Sequence, residues 1–382
     1  EAVSAVEAYV ENADSAEMTL KTGDKSVSVT AAELGISFSN LNVVDEAMDV
    51  GRSGSLIKRY KDKKDLQQGD KVIALSLDVD SEAVASILSG KAAELNQKAV
   101  DNGLVRENGA FKIIKGEQGI EVNVEDSIAA IENYISSEWD GGNAEIELVA
   151  EVVEPRGSEE DLEQITDMMG SYTTNYKDSG QNRCDNISNA TSKINGTLLY
   201  PGEEFSVYEA IGPLDAANGY ELAGAYENGQ TVESYGGGVC QVSTTLYNAV
   251  ILAELEITQR SNHSMIVSYV KPSMDAAIAG DYKDLRFVNN QDIPIYIEGY
   301  TEGKNVTFKI YGHDTRPSNR VVTYESEVIS EQDPGTQYVA TGDPAGYMKT
   351  AQGKHIGYVA RLWKVVTVDG VEESREIFNK ST

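Results

Sequence analysis

Apolar positions alternate with polar ones in two different rhythms along this chain, and the rhythm divides it. In the first 165 residues helical and strand periods follow each other. Residues 81–97 carry Val84, Ile87, Leu88 and Leu95 on one face of a helix interrupted at Gly90. Asn102-Gly103 predicts a turn, and FKIIKGEQGIEVNV (residues 111–124) alternates as a hairpin would. A second helix is expected over 125–137, with Ile128, Ile131 and Ile135 on one side, and AEIELVAEVV (144–153) reads as a strand. Residues 27–48 and 111–135 echo each other as strand, Gly-Ile, short strand, helix, so two copies of one α+β unit are expected, the first shortened at its start.

A charged stretch with a short helix, residues 154–170, marks a boundary. Beyond it the texture is rich in Gly, Tyr and Asn, with short strands and one clear helix. Past Pro317 long alternating segments return, the last broken by an Asp369-Gly370 hairpin turn, and they predict a small all-β module. The fold class expected is therefore α+β and multidomain. The divisions are 1–60 and 61–165 for the paired units, 166–318 for a mixed α+β domain and 319–382 for the β module.

Composition narrows the chemistry. The formal net charge is −30, from 62 acidic and 32 basic residues. That field repels nucleic acid and anionic lipid, and it serves solubility. No apolar run is long enough to span a bilayer, so membrane contact is expected only through an anchor outside this sequence. Two cysteines (Cys184, Cys240) and three histidines (His263, His313, His355) offer no metal spacing, and neither a metal nor another cofactor is expected.

The densest signal is YGGGVCQVSTT, residues 235–245. Behind it Val242, Leu246, Ala249, Val250, Ala253 and Ile257 keep helical spacing, so Cys240 sits at the mouth of a helix just after three glycines. A helix N-terminus favours thiolate over thiol. Gly236, Gly237 and Gly238 would let a substrate carbonyl approach the backbone, and their N–H groups could form an oxyanion nest. Tyr235 and Thr244, on either side of that nest, are expected to contact the substrate with it, and Tyr226, Tyr235 and Tyr247 could wall a groove. His263, a short loop downstream, is the candidate general base, with Asp284 ranked above Asp275 as the carboxylate that orients it. Arg260 could grip a substrate carboxylate with its planar fork. Against this stand a buried, inert Cys240 and a Cys184–Cys240 disulfide.

The stretch from Ser171 to about Gly312 closely resembles the VanW domain. The matching pieces include Tyr172-Thr173-Thr174, Asn186-Ile187, Pro201-Gly202-Glu203-Glu204-Phe205-Ser206, GGGVCQVSTTLYNA from Gly236, Arg260 with His263-Ser264, Asp275-Ala276, and Asp284-Leu285-Arg286-Phe287. The preceding residues are similar to the peptidoglycan-binding units that often precede such domains, and residues 320–382 resemble a diverged glycine-marked "five-glycine" β module. The resemblance implies an extracytoplasmic, wall-associated and membrane-anchored protein whose partners are peptidoglycan stem peptides and glycan. It implies a cysteine-dependent L,D-transpeptidase forming 3–3 cross-links through a thioester on Cys240. The alternatives are a carboxypeptidase acting on the same bond and a binder of stem peptides without catalysis.

Overall fold

The computed structural model describes residues 1–227, 230–280, 282–350 and 353–382, with the backbone alone for 226, 227, 230 and 231. The protein is α+β and divides into two compact units. One comprises residues 1–101 and 116–156; the other comprises residues 102–115 and 157–382.

In the first unit, strands Glu17–Thr22 and Lys25–Thr30 pair antiparallel, and Ala144–Glu147 joins Glu17–Thr22 in parallel. Alternation sends Met18, Leu20, Val27, Val29 and Ile146 into the core. Helices Ser81–Gly90 and Val124–Ser137 bring Val84, Leu88, Ile131 and Ile135 to the same cluster. Each helix starts at a side-chain cap: Asp80 accepts from the Glu82 and Ala83 N–H groups, and Asn123 accepts from that of Asp126.

This single core corrects the expectation of two units parted at residue 60, because residues from both sides of that boundary pack together. The second copy of the echo is itself divided, with Ala110–Ile114 in one unit and Gly119–Val122 in the other. The hairpin also moves. Ala110–Ile114 pairs back onto Gly103–Glu107 through Asn108 and Gly109, both at positive φ (52° and 83°), the geometry a tight two-residue turn requires. Gly119–Val122 pairs with Ala150–Val153 instead.

The second unit is built on an antiparallel sheet ordered Asp167–Asn175, Asn305–Gly312, Ile295–Glu302, Thr197–Leu199. Its buried face carries Ile295, Ile297, Val306, Phe308 and Ile310. Helices Gln181–Ile194 and Val239–Leu252 join the same core. The second of these lies so close to the sheet that a Cβ on Gly170 would fall 2.2 Å from the Ala249 carbonyl oxygen.

Sequence periodicity predicts one apolar stripe on Val239–Leu252, yet nearly every residue of this helix is buried. Several of its polar positions are satisfied internally, although Ser243 Oγ and Asn248 Oδ1 are buried without a partner among the described residues. Thr245 bonds the Gln241 carbonyl and Thr174, and the Gln241 amide donates to Thr174 and to the Asn175 carbonyl.

The C-terminal strands Arg320–Gln332, Gly357–Val368 and Val371–Ser381 form an antiparallel sheet, with Asp369 and Gly370 at the second turn, both at positive φ. This region is all-β as expected, but residue 318 does not separate two cores. Leu362 is fully buried in the core of the second unit, with Tyr324 and Phe378 packed against it.

Candidate active site

The helix mouth is shaped by glycine, for a reason other than substrate approach. Gly236 (φ 77°) and Gly238 (φ 116°) hold backbone conformations that L side chains rarely adopt. A Cβ on Gly237 would sit 2.5 Å from the Ala223 carbonyl oxygen, and one on Gly238 would sit 3.0 Å from Arg183 and Ile187 side-chain carbons. The close approach demanded of this turn is to the protein itself. Its N–H groups are also largely committed: Gly236 to the Glu221 carbonyl, Gly237 to that of Ser234, Val239 to that of Gly236, Gln241 to that of Gly238. Among the described residues the Cys240 N–H makes no hydrogen bond.

One face of the helix then binds an extended segment. Asn248 donates to the Met274 carbonyl at 2.8 Å, and Thr244 Oγ1 bonds both N–H (3.0 Å) and carbonyl (3.2 Å) of Ala276. The Cys240 thiol donates to the Ile278 carbonyl at 3.4 Å and accepts from its N–H at 3.5 Å. Steps of four along the helix match steps of two along the extended segment because both advance about 6 Å. Thr244, expected to touch substrate, is instead a fully buried clasp in this zipper.

The segment delivers Asp275 to His263. Asp275 Oδ2 lies 2.7 Å from His263 Nδ1 and accepts from the His263 backbone N–H at 2.7 Å. On the other side Arg260 donates to the Asp275 carbonyl at 2.7 Å and to Oδ1 at 3.0 Å, and its third contact is Ser381 Oγ at 3.0 Å. The side chains of Arg260, His263 and Asp275 are all under 10 % exposed. Arg260 is thus spent on Asp275 and is not available to grip a substrate. Asp284 is corrected too. Its carboxylate accepts from Ser206 Oγ (2.6 Å) and the N–H groups of Tyr208 (2.9 Å) and Leu285 (2.8 Å), and it pairs with Arg286, so it pins a separate turn.

Electrostatics couple the three groups. Burial pushes the Cys240 thiol up, but the hydrogen bond and charge of His263, the Ile278 N–H and the Arg183 charge more than offset it, leaving the thiol below its ordinary value. Burial pulls the His263 imidazole down, and the bonds to Asp275 and Cys240 outweigh that, raising it from 6.5 to about 9. Asp275 is lowered despite burial, first by its bonds to His263 and then by Arg260. These directions favour the transfer of the thiol proton to His263, with Asp275 behind it to hold the imidazolium.

Cys240 and His263 open on a cavity of about 810 Å³ whose walls include Arg183, Gly238, Gln241 and Tyr269. Tyr269 packs edge-on to His263 at 6.5 Å between ring centroids, and burial raises its phenol. Of the expected aromatics, Tyr235 is exposed at the end of its hairpin and not among the cavity walls, and Tyr247 is buried with its hydroxyl accepting from Asn379. The Tyr226 side chain lies outside the described residues. Cys184 and Cys240 are both free thiols, with no disulfide between them. No group of three metal-ligating side chains occurs among the described residues.

Residues 182–311, which carry this whole constellation, match the family described as "VanW like protein". A relative from Bacillus subtilis strain 168, "Uncharacterized protein YoaR", is 32% identical over 214 residues, covering 56% of this chain and 69% of the relative. The chain belongs to the VanW-like family. Residues 27–140 match the family described as "Putative peptidoglycan binding domain", one match lying across the boundary expected at residue 60. The "Vancomycin B-type resistance protein VanW" of Enterococcus faecalis is 30% identical over 118 residues, which is 29% of this chain and 42% of that relative. No solved structure matches the chain. Sequence reading of the VanW-like domain missed Arg183, Gln241 and Tyr269 as cavity walls. Only Gln241, beside the cysteine, carried a local signal.

Proposed function

We propose that the VanW-like domain is a cysteine acyltransferase acting on peptidoglycan stem peptides, and specifically an L,D-transpeptidase that forms 3–3 cross-links. The observation that carries this reading is the Cys240–His263–Asp275 line opening on a large cavity, in a chain that also matches a peptidoglycan-binding family.

The Cys240 thiolate attacks the carbonyl of the third stem residue, forming a C–S bond. Negative charge develops on the carbonyl oxygen, and the uncommitted Cys240 N–H at the helix mouth is a donor for it. The C–N bond to the fourth residue then breaks, and its amine takes a proton from imidazolium His263. Because Nδ1 is held by Asp275, the transferring atom is Nε2. Neutral His263 next accepts a proton from the side-chain amine of a neighbouring stem as that amine attacks the thioester. The new amide forms, the thiolate leaves, and the ion pair is restored. Asp275 stays ionised throughout, and Arg260 keeps it in place. This work belongs outside the cytoplasm, at the wall. Among the described residues no helix is long and apolar enough to cross a membrane.

Intact mass after incubation with disaccharide–tetrapeptide tests the reading. A Cys240 adduct that lacks D-Ala, followed by cross-linked dimer, is expected. Absence of any adduct on folded protein overturns it, and tripeptide without dimer makes the domain a carboxypeptidase.

A further inference from the structure

Arg183 stands apart from the other arginines of its unit. Arg106, Arg260, Arg286, Arg316, Arg320, Arg361 and Arg375 each lie against a carboxylate. Arg183 does not, among the described residues. Its two bonds go to neutral acceptors, Ser179 Oγ at 2.7 Å and Gln241 Oε1 at 2.9 Å. In a chain with 62 acidic and 32 basic residues, an unneutralised, part-buried guanidinium is unusual. It lines the Cys240 cavity, and its charge reaches the sulfur. Lys177, exposed on the same wall, makes no ion pair among the described residues. Asp178 also lines the wall, but it forms no ion pair with either cation. Two bonds leave Arg183 with N–H donors to spare, since guanidinium carries five.

We propose that Arg183, assisted by Lys177, binds the free α-carboxylate of the amino acid that departs from the acyl donor. The inference rests on the acyltransfer reading and extends it: the donor is a peptide whose scissile bond is its last, so that the leaving group carries both the new amine and the carboxylate. The net charge of −30 repels anionic ligands at long range. A local cation beside the nucleophile reverses that repulsion only where the bond is to be broken, and it rejects chain-internal bonds, which offer no carboxylate.

The ratio of iodoacetate to iodoacetamide alkylation at Cys240, mapped by peptide mass in the full chain, tests this. Both reagents attack the same thiolate, so the ratio cancels any effect of Arg183 on thiolate formation. The ratio should exceed that of a small free thiol by about tenfold, or about 1.4 kcal/mol. It should collapse in Arg183→Met, fall less in Lys177→Met, and survive in Arg183→Lys. A wild-type ratio at or below the free-thiol value overturns the proposal. N-acetyl-D-alanine, but not its amide, should slow iodoacetamide alkylation of wild-type protein, a measurement that needs no variant; equal protection by the two counts against the site. Tetrapeptide with a free C-terminus should acylate Cys240 far faster than its C-terminal amide. Equal acylation by both sinks the carboxylate site and leaves acyl transfer standing. A high alkylation ratio with no acylation by either supports the site and sinks the acyltransfer reading.

Discussion

Replacing Asp275 by Asn removes one negative charge while keeping the shape of the side chain, and the structure gives the consequence for each neighbour. His263 loses an ionic partner at 2.7 Å on Nδ1, and Arg260 loses the charge that faces its fork at 3.0 Å. A hydrogen bond to a charged group is worth about 1.5–3 kcal/mol, so weakening the imidazolium alone corresponds to roughly ten- to a hundredfold less ion pair. Because the bond to Asp275 leads the contributions that raise His263 toward about 9, the imidazole titrates at lower pH in the variant. The thiol, in turn, loses part of the charge that keeps it ionised and titrates at higher pH. Iodoacetamide alkylation of Cys240 against pH should inflect below the ~8.5 of a free cysteine in the wild type and move upward in Asp275→Asn. Acylation by tetrapeptide should drop by at least tenfold. Asp284→Asn is the matched control: it removes a buried carboxylate from the turn at Ser206 and Tyr208, so it should lower Tm without moving the alkylation profile. If Asp275→Asn keeps the wild-type inflection, or if Asp284→Asn is the variant that shifts it, the Cys240–His263–Asp275 assignment is wrong.

His263 is raised in the folded state, so its stabilising contribution is full below pH 6.5 and is lost as pH rises through about 9; Asp275→Asn should flatten Tm across that window. Glu254 behaves oppositely. Burial pushes it up, but Arg320 and Lys364 hold it down to about 2, so its contribution is present above 4.5 and lost as pH falls toward 2. Glu254→Gln removes the charge these part-buried cations share and should destabilise by about 1.5–3 kcal/mol at neutral pH in urea titrations, with a smaller penalty in acid. Gly170→Ala drives a methyl into the Ala249 carbonyl and should cost about 1–3 kcal/mol, with no change in thiol reactivity per folded molecule. Ending the chain after residue 318 removes Leu362, Tyr324 and Phe378, should uncover the core they pack against and abolish cooperative unfolding of the VanW-like unit; a stable, sharply melting fragment contradicts a shared core.

Local patterns were legible where a single element carries the information. Helices over 81–90 and 124–137, the Asp369-Gly370 turn and the cysteine at a helix mouth all follow from spacing and turn chemistry. What failed is non-local. Strand Ala150–Val153 and strand Ala144–Glu147 are one alternating run in sequence, yet they pair with different partners, and no period records a change of sheet. The echo at 27–48 and 111–135 is real as a local order of elements, but hydrophobic faces do not say which core they join: Val122, Ile131 and Ile135 share the core of Val27 and Val29, whereas Phe111 and Ile113 pack with Leu104 in the other unit.

The distinction between Asp275 and Asp284 is carried by the sequence of the helix itself. Cys240, Thr244 and Asn248 repeat at intervals of four, which puts three hydrogen-bonding side chains in a row on one face of a helix otherwise suited to burial. A buried row of that kind needs a partner with a donor or acceptor every 6 Å or so, and an extended strand supplies one at every second residue. Such a strand shows Met274, Ala276 and Ile278 to the helix, and so turns the intervening residue, Asp275, away from the zipper toward the loop that holds His263. The same alternation places the carboxylate in reach of Arg260 behind it. Asp284 lies beyond the last rung at Ile278, in a segment whose bonds go to Ser206, Tyr208 and Leu285. The geometry of the site is therefore a consequence of two repeats with a common advance, four residues of helix against two of extended chain, and Asp275 is its out-of-phase position.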